Sequence, residues 1–433
     1  MARTISIVPK ASDRQASQRD HPDYSAHPLL DPHFFERNPD AMRHYVRLLR
    51  ENMSNPWRYQ NLLNRLLHPV SEKHPLEVNE RIISSYLHDA SAYVAQLVRL
   101  LPEGDRKHFS CDKKIAACND FHQLVERLFC DHSSRCAFEA RRKLYLARVL
   151  IQIDRTRRIQ EGPRHKRYLL SILERELWAY VRESGDVEVS YTFDESGVRL
   201  KEARGKGSDC HWHRFSTRRV VRDLPGGPYD LPIYHVSVRF KMDGAPVAGM
   251  RQKDRRAEDL PRLERIRSAS VLSKMLRKRI NDPVAITDIL GLRFIVKEEK
   301  SVHALADLLH HVLGGPLAFR NQVDLFRFPE QHQEMNRFSS SEFKVFKEDV
   351  DVLYAPGRGE AIQPYIFPVE LQILTVESYL RTLRRFDNTS HRAYKRRQFL
   401  EGVFPYLFPA EIYGDPGHSE DSRSGKNGER KAL

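Results

Sequence analysis

The chain has 433 residues, 40% of them hydrophobic, which is enough for a real buried core and, by size, for two domains. Lys and Arg number 72 against 58 Asp and Glu, a formal charge of +14, so the expected partner is anionic: a nucleotide, a nucleic acid or another phosphate-rich molecule. No apolar run reaches the roughly eighteen residues of a membrane span, the start MARTISIVPKASDRQ has no apolar signal core, and the cysteines are odd in number; the expectation is no membrane and a reducing cytoplasm.

Residues 1–25 are polar and read as disordered. Residues 26–185 read as a helical domain. Leu62, Leu63, Leu66 and Leu67, then Ile82, Ile83 and Leu87, then Leu144, Leu146, Val149 and Leu150 recur at helical spacing, with Pro and Gly between the groups. A further amphipathic helix is expected from Lys166 to Arg182. Cys111, Cys118, Cys130 and Cys136 lie near His122 and His132, but no C-x-x-C pair occurs, so buried thiols are expected rather than zinc. The domain is read as regulatory or for recognition; homo-oligomerisation is one use the sequence leaves open.

From Asp186 the period changes to two. Val187, Val189, Tyr191 and Phe193, a turn at Asp194-Glu195-Ser196-Gly197, then Val198 and Leu200 predict a hairpin. Cys210-His211-Trp212-His213 lacks a fourth ligand and reads as incidental. After the Gly226-Gly227-Pro228 turn, YHVSVRFK alternates as a strand and is expected to be the first strand of a second sheet-bearing domain, residues 186–410. A basic insertion follows around residues 242–267. Arg239 to Arg279 holds thirteen basic and five acidic residues, an excess of eight.

In SASVLSKMLRKRINDPVAITDILGLRFIV, Ser268 is the expected N-cap of a helix that pairs Val271 with Met275 and Leu272 with Leu276, leaving Lys274 and Lys278 on a separate face. Leu290, Leu292, Phe294 and Val296 then alternate with Gly291, Arg293 and Ile295, so Asp288 stands where a helix hands over to a strand. In PVELQILT, Val369, Leu371 and Ile373 alternate with Glu370 and Gln372. If the two strands are near neighbours, two carboxylates face a set of cations. Such a pair suits Mg²⁺ and polyphosphate, one carboxylate holding the ion and the other taking a proton from an attacking hydroxyl. A core strand edged by ordinary surface charge is the alternative for either element alone. Seven further cations, Arg381, Arg384, Arg385, Arg392, Lys395, Arg396 and Arg397, surround His391 and Tyr394, and residues 411–433 read as a disordered tail.

Together these residues resemble the synthetase domain of RelA/SpoT-type proteins and small alarmone synthetases. Ser270-Val271-Leu272-Ser273-Lys274-Met275 is similar to that family's helix motif S-I-x-x-K-M, and Asp288-Ile289-Leu290-Gly291-Leu292-Arg293 to its D-L-V-G-I-R. Glu370-Leu371-Gln372-Ile373-Leu374-Thr375 is similar to E-x-Q-I-R-T, and Ser390-His391-Arg392-Ala393-Tyr394-Lys395 to A-H-x-x-Y-K. Four matches in the family's order are a specific signal. The resemblance implies Asp288 and Glu370 as Mg²⁺ ligands, Glu370 also as general base on a ribose 3′-hydroxyl, and Lys274 and Arg293 on the phosphates of ATP. Lys278, Gln372, His391 and Tyr394 complete the implied nucleotide site. The family's R-x-K falls on Arg239 and Lys241 or on Arg265 and Arg267; the first pair is favoured because it ends a strand.

Two departures stand out. The family's G-Y-x-S-x-H has no counterpart across Phe338 to Val345, where only Phe338 or Phe343 offers an aromatic face for a guanine, and Leu374 replaces an Arg. His88-Asp89 and His74-Pro75-Leu76 echo the His-Asp hydrolase domain of long family members, but Ala90-Ser91-Ala92-Tyr93 follow where acidic ligands should, so an ordinary helical bundle is expected. The expected fold is α+β: a mostly helical N-terminal domain, then a nucleotidyltransferase domain with a mixed sheet flanked by helices. The expected activity is an ATP- and Mg²⁺-dependent pyrophosphokinase whose acceptor is a guanosine nucleotide or the 3′ end of an RNA such as transfer RNA. The alternatives are a non-catalytic relative that binds nucleotide or RNA as a sensor, and an unrelated basic nucleic-acid-binding protein.

Overall fold

Two kinds of periodicity in the sequence separate into two compact units: residues 1–152, 251–281 and 399–433 form one, and residues 153–250 and 282–398 the other. The computed structural model describes residues 23–34, 39–68, 72–130, 134–194, 197–201, 211–225, 227–241, 268–330, 344–357, 362–383 and 391–414. Outside the described residues lie Arg265, Arg267 and the whole basic insertion, Phe338, Phe343, Cys210, His132, and most of both terminal segments expected to be disordered. Among the described residues no helix is long and apolar enough to cross a membrane.

The first unit is helical, built on α1 (Pro39–Met53), α2 (Pro56–Leu67), α3 (Leu76–Val98), α4 (Phe121–Cys130) and α5 (Ser134–Asp154). On α3, Ile83, Leu87, Ala90, Val94 and Leu97 are buried at three- and four-residue steps, the stripe an amphipathic helix turns to its core. Asn55 caps α2, its side chain accepting from the Arg58 amide. The unit also contains α7 (Ala269–Lys278), the helix with Lys274 and Lys278. Its apolar side, Val271, Leu272, Met275 and Leu276, is buried as the spacing predicts, and Ser273 hydrogen-bonds Tyr93 of α3 at 2.7 Å. Ser268 occupies the N-cap position but makes no side-chain cap bond: at φ 70° its backbone is left-handed and its side chain is buried. Cys118 is buried, Cys111 and Cys136 are half-buried, and none of the three is in a disulfide. Burial pushes the Cys111 thiol up to about 12.

The second unit carries one eight-stranded mixed sheet in the order β2-β1-β3-β4-β5-β8-β7-β6. Its strands are β1 (Val181–Asp194), β2 (Gly197–Lys201), β3 (His211–Leu224), β4 (Gly227–Phe240), β5 (Leu290–Val296), β6 (Phe319–Asp324), β7 (Phe346–Tyr354) and β8 (Tyr365–Thr375). The β1–β2 hairpin forms where the alternation places it, pairing Asp194 with Gly197. YHVSVRFK does not begin the sheet: β4 lies inside it, with β1 to β3 added beyond. Nor does the helix expected to reach Arg182 do so. It is α6 (Gly162–Glu176), and the chain from Val181 pairs with β3 instead, with Val181 opposite Val220. Cross-strand pairing there overrides local helical spacing.

All neighbouring strands are antiparallel except β5 and β8. That parallel pair needs a crossover, supplied by α8 (Glu299–Val312), which packs on β4, β5 and β8 through Val302, Leu305 and Leu309. Leu290, Leu292, Phe294 and Val296 are all buried as predicted, each contributing about 1.5–3 kcal/mol from burial. At the far end of the other face, α9 (Val376–Leu383) covers Ile295 with Val376 and Leu380. Leu374, beside Ile295, is also buried there, with Val323, Leu325 and Val345, and toward Gly291 and Glu370 that face becomes polar.

Candidate functional site

The polar face follows from period two and from register. Arg239 on β4 lies opposite Gly291 on β5, Gly291 is paired with Glu370 on β8, and Glu370 with Asp349 on β7. The adjacent row runs Ser237, Arg293, Gln372 and Lys347 across the same strands. Six of the expected residues, Arg239, Lys241, Asp288, Arg293, Glu370 and Gln372, are thereby gathered at one end of β4, β5 and β8. Lys274 and Lys278 belong to the helical unit and are placed only within it. His391 and Tyr394 lie on α10 (His391–Gly402), but their side chains are outside the described residues.

A chain of polar contacts crosses the face. Arg293 donates twice to Oε1 of Gln372, from Nε at 3.0 Å and from Nη2 at 2.6 Å, and Gln372 Nε2 donates to Glu370 Oε2 at 2.9 Å. Glu370 Oε1 is held by the ammonium of Lys347 at 2.7 Å. Burial works against the Lys347 charge, yet Glu370, with Asp349 and Asp288 behind it, keeps the ammonium above the ordinary lysine value. Glu370 is the carboxylate in contact with Lys347; Asp288 adds a weaker attraction. Asp288 is buried and ion-paired with Lys241, whose backbone amide also donates to Ile289.

Arg239 differs from these. It is exposed and has no hydrogen-bond or ion-pair partner among the described residues. Burial and the charge of Arg239 together pull the Arg293 guanidinium below its ordinary value. Gly291 opens the space next to them: a Cβ built there would approach nothing closer than Glu370 O at 3.8 Å and Arg239 O at 3.9 Å. The result is a side-chain-free step, bounded by two arginines and a carboxylate, of a kind that accepts a phosphate group.

Lys347 is not among the residues that the sequence motifs single out, because none of those motifs covers β7. The signal is present in FKEDVDVLY, where Lys347, Asp349 and Asp351 share the half-buried face of β7. Asp288 and Glu370 are hard oxygen donors of the kind Mg²⁺ takes, and their shared surroundings fit such an ion. Each also carries an ammonium partner that an ion would compete with.

No protein-family model matches this chain, and no curated protein does. Among solved structures, it is similar to small alarmone synthetase 1 from Bacillus subtilis bound to its product pppGpp, at 18% identity and TM-score 0.22, covering 34% of this chain and 57% of that one. A second structure of the same synthetase gives 18% and 0.21, over 34% and 56%. A GTP pyrophosphokinase family protein from Streptococcus pneumoniae gives 16% and 0.22, over 39% and 68%. The chain thus spans little more than half the length of the first of these.

Proposed function

We propose that the sheet unit is a pyrophosphokinase that moves the β,γ-pyrophosphoryl group of ATP to the 3′-hydroxyl of a guanosine nucleotide or of an RNA such as transfer RNA. The observation that carries this reading is the pair Arg239 and Arg293, like charges beside the Gly291 step, which a polyphosphate between them would relieve. Glu370 accepts two hydrogen bonds and has lone pairs left for a proton, as a general base requires. In the step, the 3′-oxygen bonds to the β-phosphorus, the bond from that phosphorus to the α,β-bridging oxygen breaks, AMP leaves, and the hydroxyl proton passes to Glu370. Mg²⁺, held by Asp288 and Glu370, would neutralise phosphate charge during transfer. Lys241 and Lys347 then serve as further phosphate cations. We assign residues 26–152, the part of the expected helical domain that lies outside the sheet unit, to regulation or recognition, and the protein to the cytoplasm of a bacterial cell.

A second reading, nucleotide binding without transfer, is favoured by one specific feature: both carboxylates are already matched by lysines. One experiment separates the two. The full chain is incubated with Mg²⁺ and ATP labelled at the β phosphate, with GDP, GTP or bulk transfer RNA, and Asp288→Ala as control. Label reaching an acceptor with the wild type alone supports transfer. Binding of ATP with no transfer to any acceptor supports the second reading, and no binding of ATP overturns both.

A further inference from the structure

In the helical unit, two imidazoles and a carboxylate come together between the end of α2 and the start of α3. One ligand atom from each of His68, Glu72 and His74 lies within 4.8 Å of the others. The two rings are 4.0 Å apart between centroids, and His74 Nε2 stands 3.7 Å from Glu72 Oε2.

The surroundings fix this arrangement. Asn79 on α3 is fully buried, and its amide nitrogen donates to Asn64 Oδ1 at 3.0 Å and to His74 O at 3.3 Å. Its Oδ1 therefore faces His68 Nε2, at 2.7 Å, as an acceptor. That contact puts the proton of neutral His68 on Nε2 and the lone pair on Nδ1, an atom with no hydrogen-bond partner among the described residues although the residue is only 9% exposed. The backbone of His74 is pinned as well. Its amide donates to Asn64 Oδ1 at 2.9 Å, and its carbonyl also accepts from Gln60 Nε2 at 3.0 Å. A carboxamide that orients an imidazole through its second nitrogen is the kind of outer partner that metal-binding histidines use.

We propose that His68, Glu72 and His74 bind a borderline divalent ion such as Zn²⁺. Two imidazole nitrogens and one carboxylate oxygen suit that class better than Mg²⁺ or Ca²⁺, which take oxygen ligands. Three protein ligands leave a fourth position for water. Of the three ligands, His74 also lines a surface groove of about 610 Å³, with Trp57, Gln60, Lys73, Leu76 and Glu77, and Trp57 is exposed. The site is separate from His88-Asp89: His88 lies twelve residues beyond Leu76 on α3, about 18 Å along the axis at 1.5 Å per residue, and is exposed.

The test titrates Co²⁺ into the metal-free full chain and reads the visible absorption of the bound ion, with Zn²⁺ as competitor and Mg²⁺ as control. The wild type should take up one Co²⁺ with a low-symmetry, intense spectrum displaced by Zn²⁺ but not by excess Mg²⁺. Glu72→Gln, at an exposed side chain, and His74→Ala should each weaken that binding by about 10- to 100-fold, with helical content unchanged by circular dichroism. Co²⁺ affinity and spectrum unchanged in both variants overturn the proposal, as does uptake of no ion by the folded wild type.

Discussion

Lys347 and Glu370 stand diagonally on neighbouring strands, ammonium to carboxylate at 2.7 Å, with Gln372 closing the other carboxylate oxygen at 2.9 Å. Both oxygens of the proposed base are thereby aimed before any substrate arrives. Lys347→Met removes the charge but keeps much of the side chain's length, so Glu370 loses one of its two anchors. The expected result is a kcat on the order of 10- to 100-fold lower, as for other lost orienting partners, with KM for the nucleotide less affected. Lys347→Arg should restore part of the rate. Full activity in Lys347→Met would show that the pair is only structural.

Gly291 is the residue on the face that contributes space. Its position in β5 does not need a left-handed backbone, and a Cβ there would make only ordinary contacts, so Gly291→Ala should fold and even gain a few tenths of a kcal/mol from lost chain entropy in the unfolded state. The added methyl would nevertheless occupy the step between Arg239 and Glu370. KM for the nucleotide should rise by about tenfold, with kcat less affected, and Gly291→Val should be worse. Unchanged steady-state kinetics in both variants would remove the step from the binding site.

His165 on α6 makes the sheet unit sensitive to acid. Its ring stacks on Phe367 at 4.3 Å and 6°, its Nε2 meets the Tyr365 hydroxyl at 2.8 Å, and it is 4% exposed. Burial brings the imidazole down to about 4 from 6.5, with Glu161 opposing and Arg164 assisting. Between those values the unfolded chain binds the proton that the folded chain refuses. The stability this buried neutral ring contributes is full above pH 6.5 and is lost as the pH falls toward 4, about 3 kcal/mol in all. Urea unfolding at pH 7, 6 and 5 should show that slope, and His165→Phe, which keeps the stack and cannot titrate, should flatten it. Parallel losses in the two proteins would assign the acid sensitivity to another group.

The legible parts of this chain are those in which local period and tertiary role coincide. Leu290 to Phe294 and Val369 to Ile373 alternate because one side of each is buried and the other carries Gly291, Arg293, Glu370 and Gln372, and that alternation puts Glu370, Gln372 and Arg293 on one side. The apolar stripe of α7 was legible for the same reason. What escaped depended on pairing between distant segments. Val181 to Gly185 reads as the end of a helix until β3 lies beside it, and Lys347 is an ordinary strand lysine until β7 is set against β8. Ser268 stands at the expected N-cap position but with a left-handed backbone, and its side chain makes no cap bond.

Arg239 and Arg293 carry the same charge in adjacent strands but are held differently, and their removal should separate binding from positioning. Arg239 is exposed and unpartnered among the described residues, so Arg239→Ala should change stability by no more than about 0.5 kcal/mol. It would still lose a charged contact to phosphate worth about 1.5–3 kcal/mol, a Kd for ATP on the order of 10- to 100-fold weaker, and a smaller dependence of Kd on salt. Arg293→Ala removes a guanidinium that is tied twice to Gln372, leaving an amide oxygen unmatched and Glu370 without the far end of its tether. That variant should lose kcat as well as affinity, whereas Arg239→Ala should keep kcat at saturating ATP. Calorimetry at two salt concentrations, set beside saturation kinetics, distinguishes the two losses; ATP binding to Arg239→Ala as tight as to the wild type would rule out a phosphate seat between the arginines.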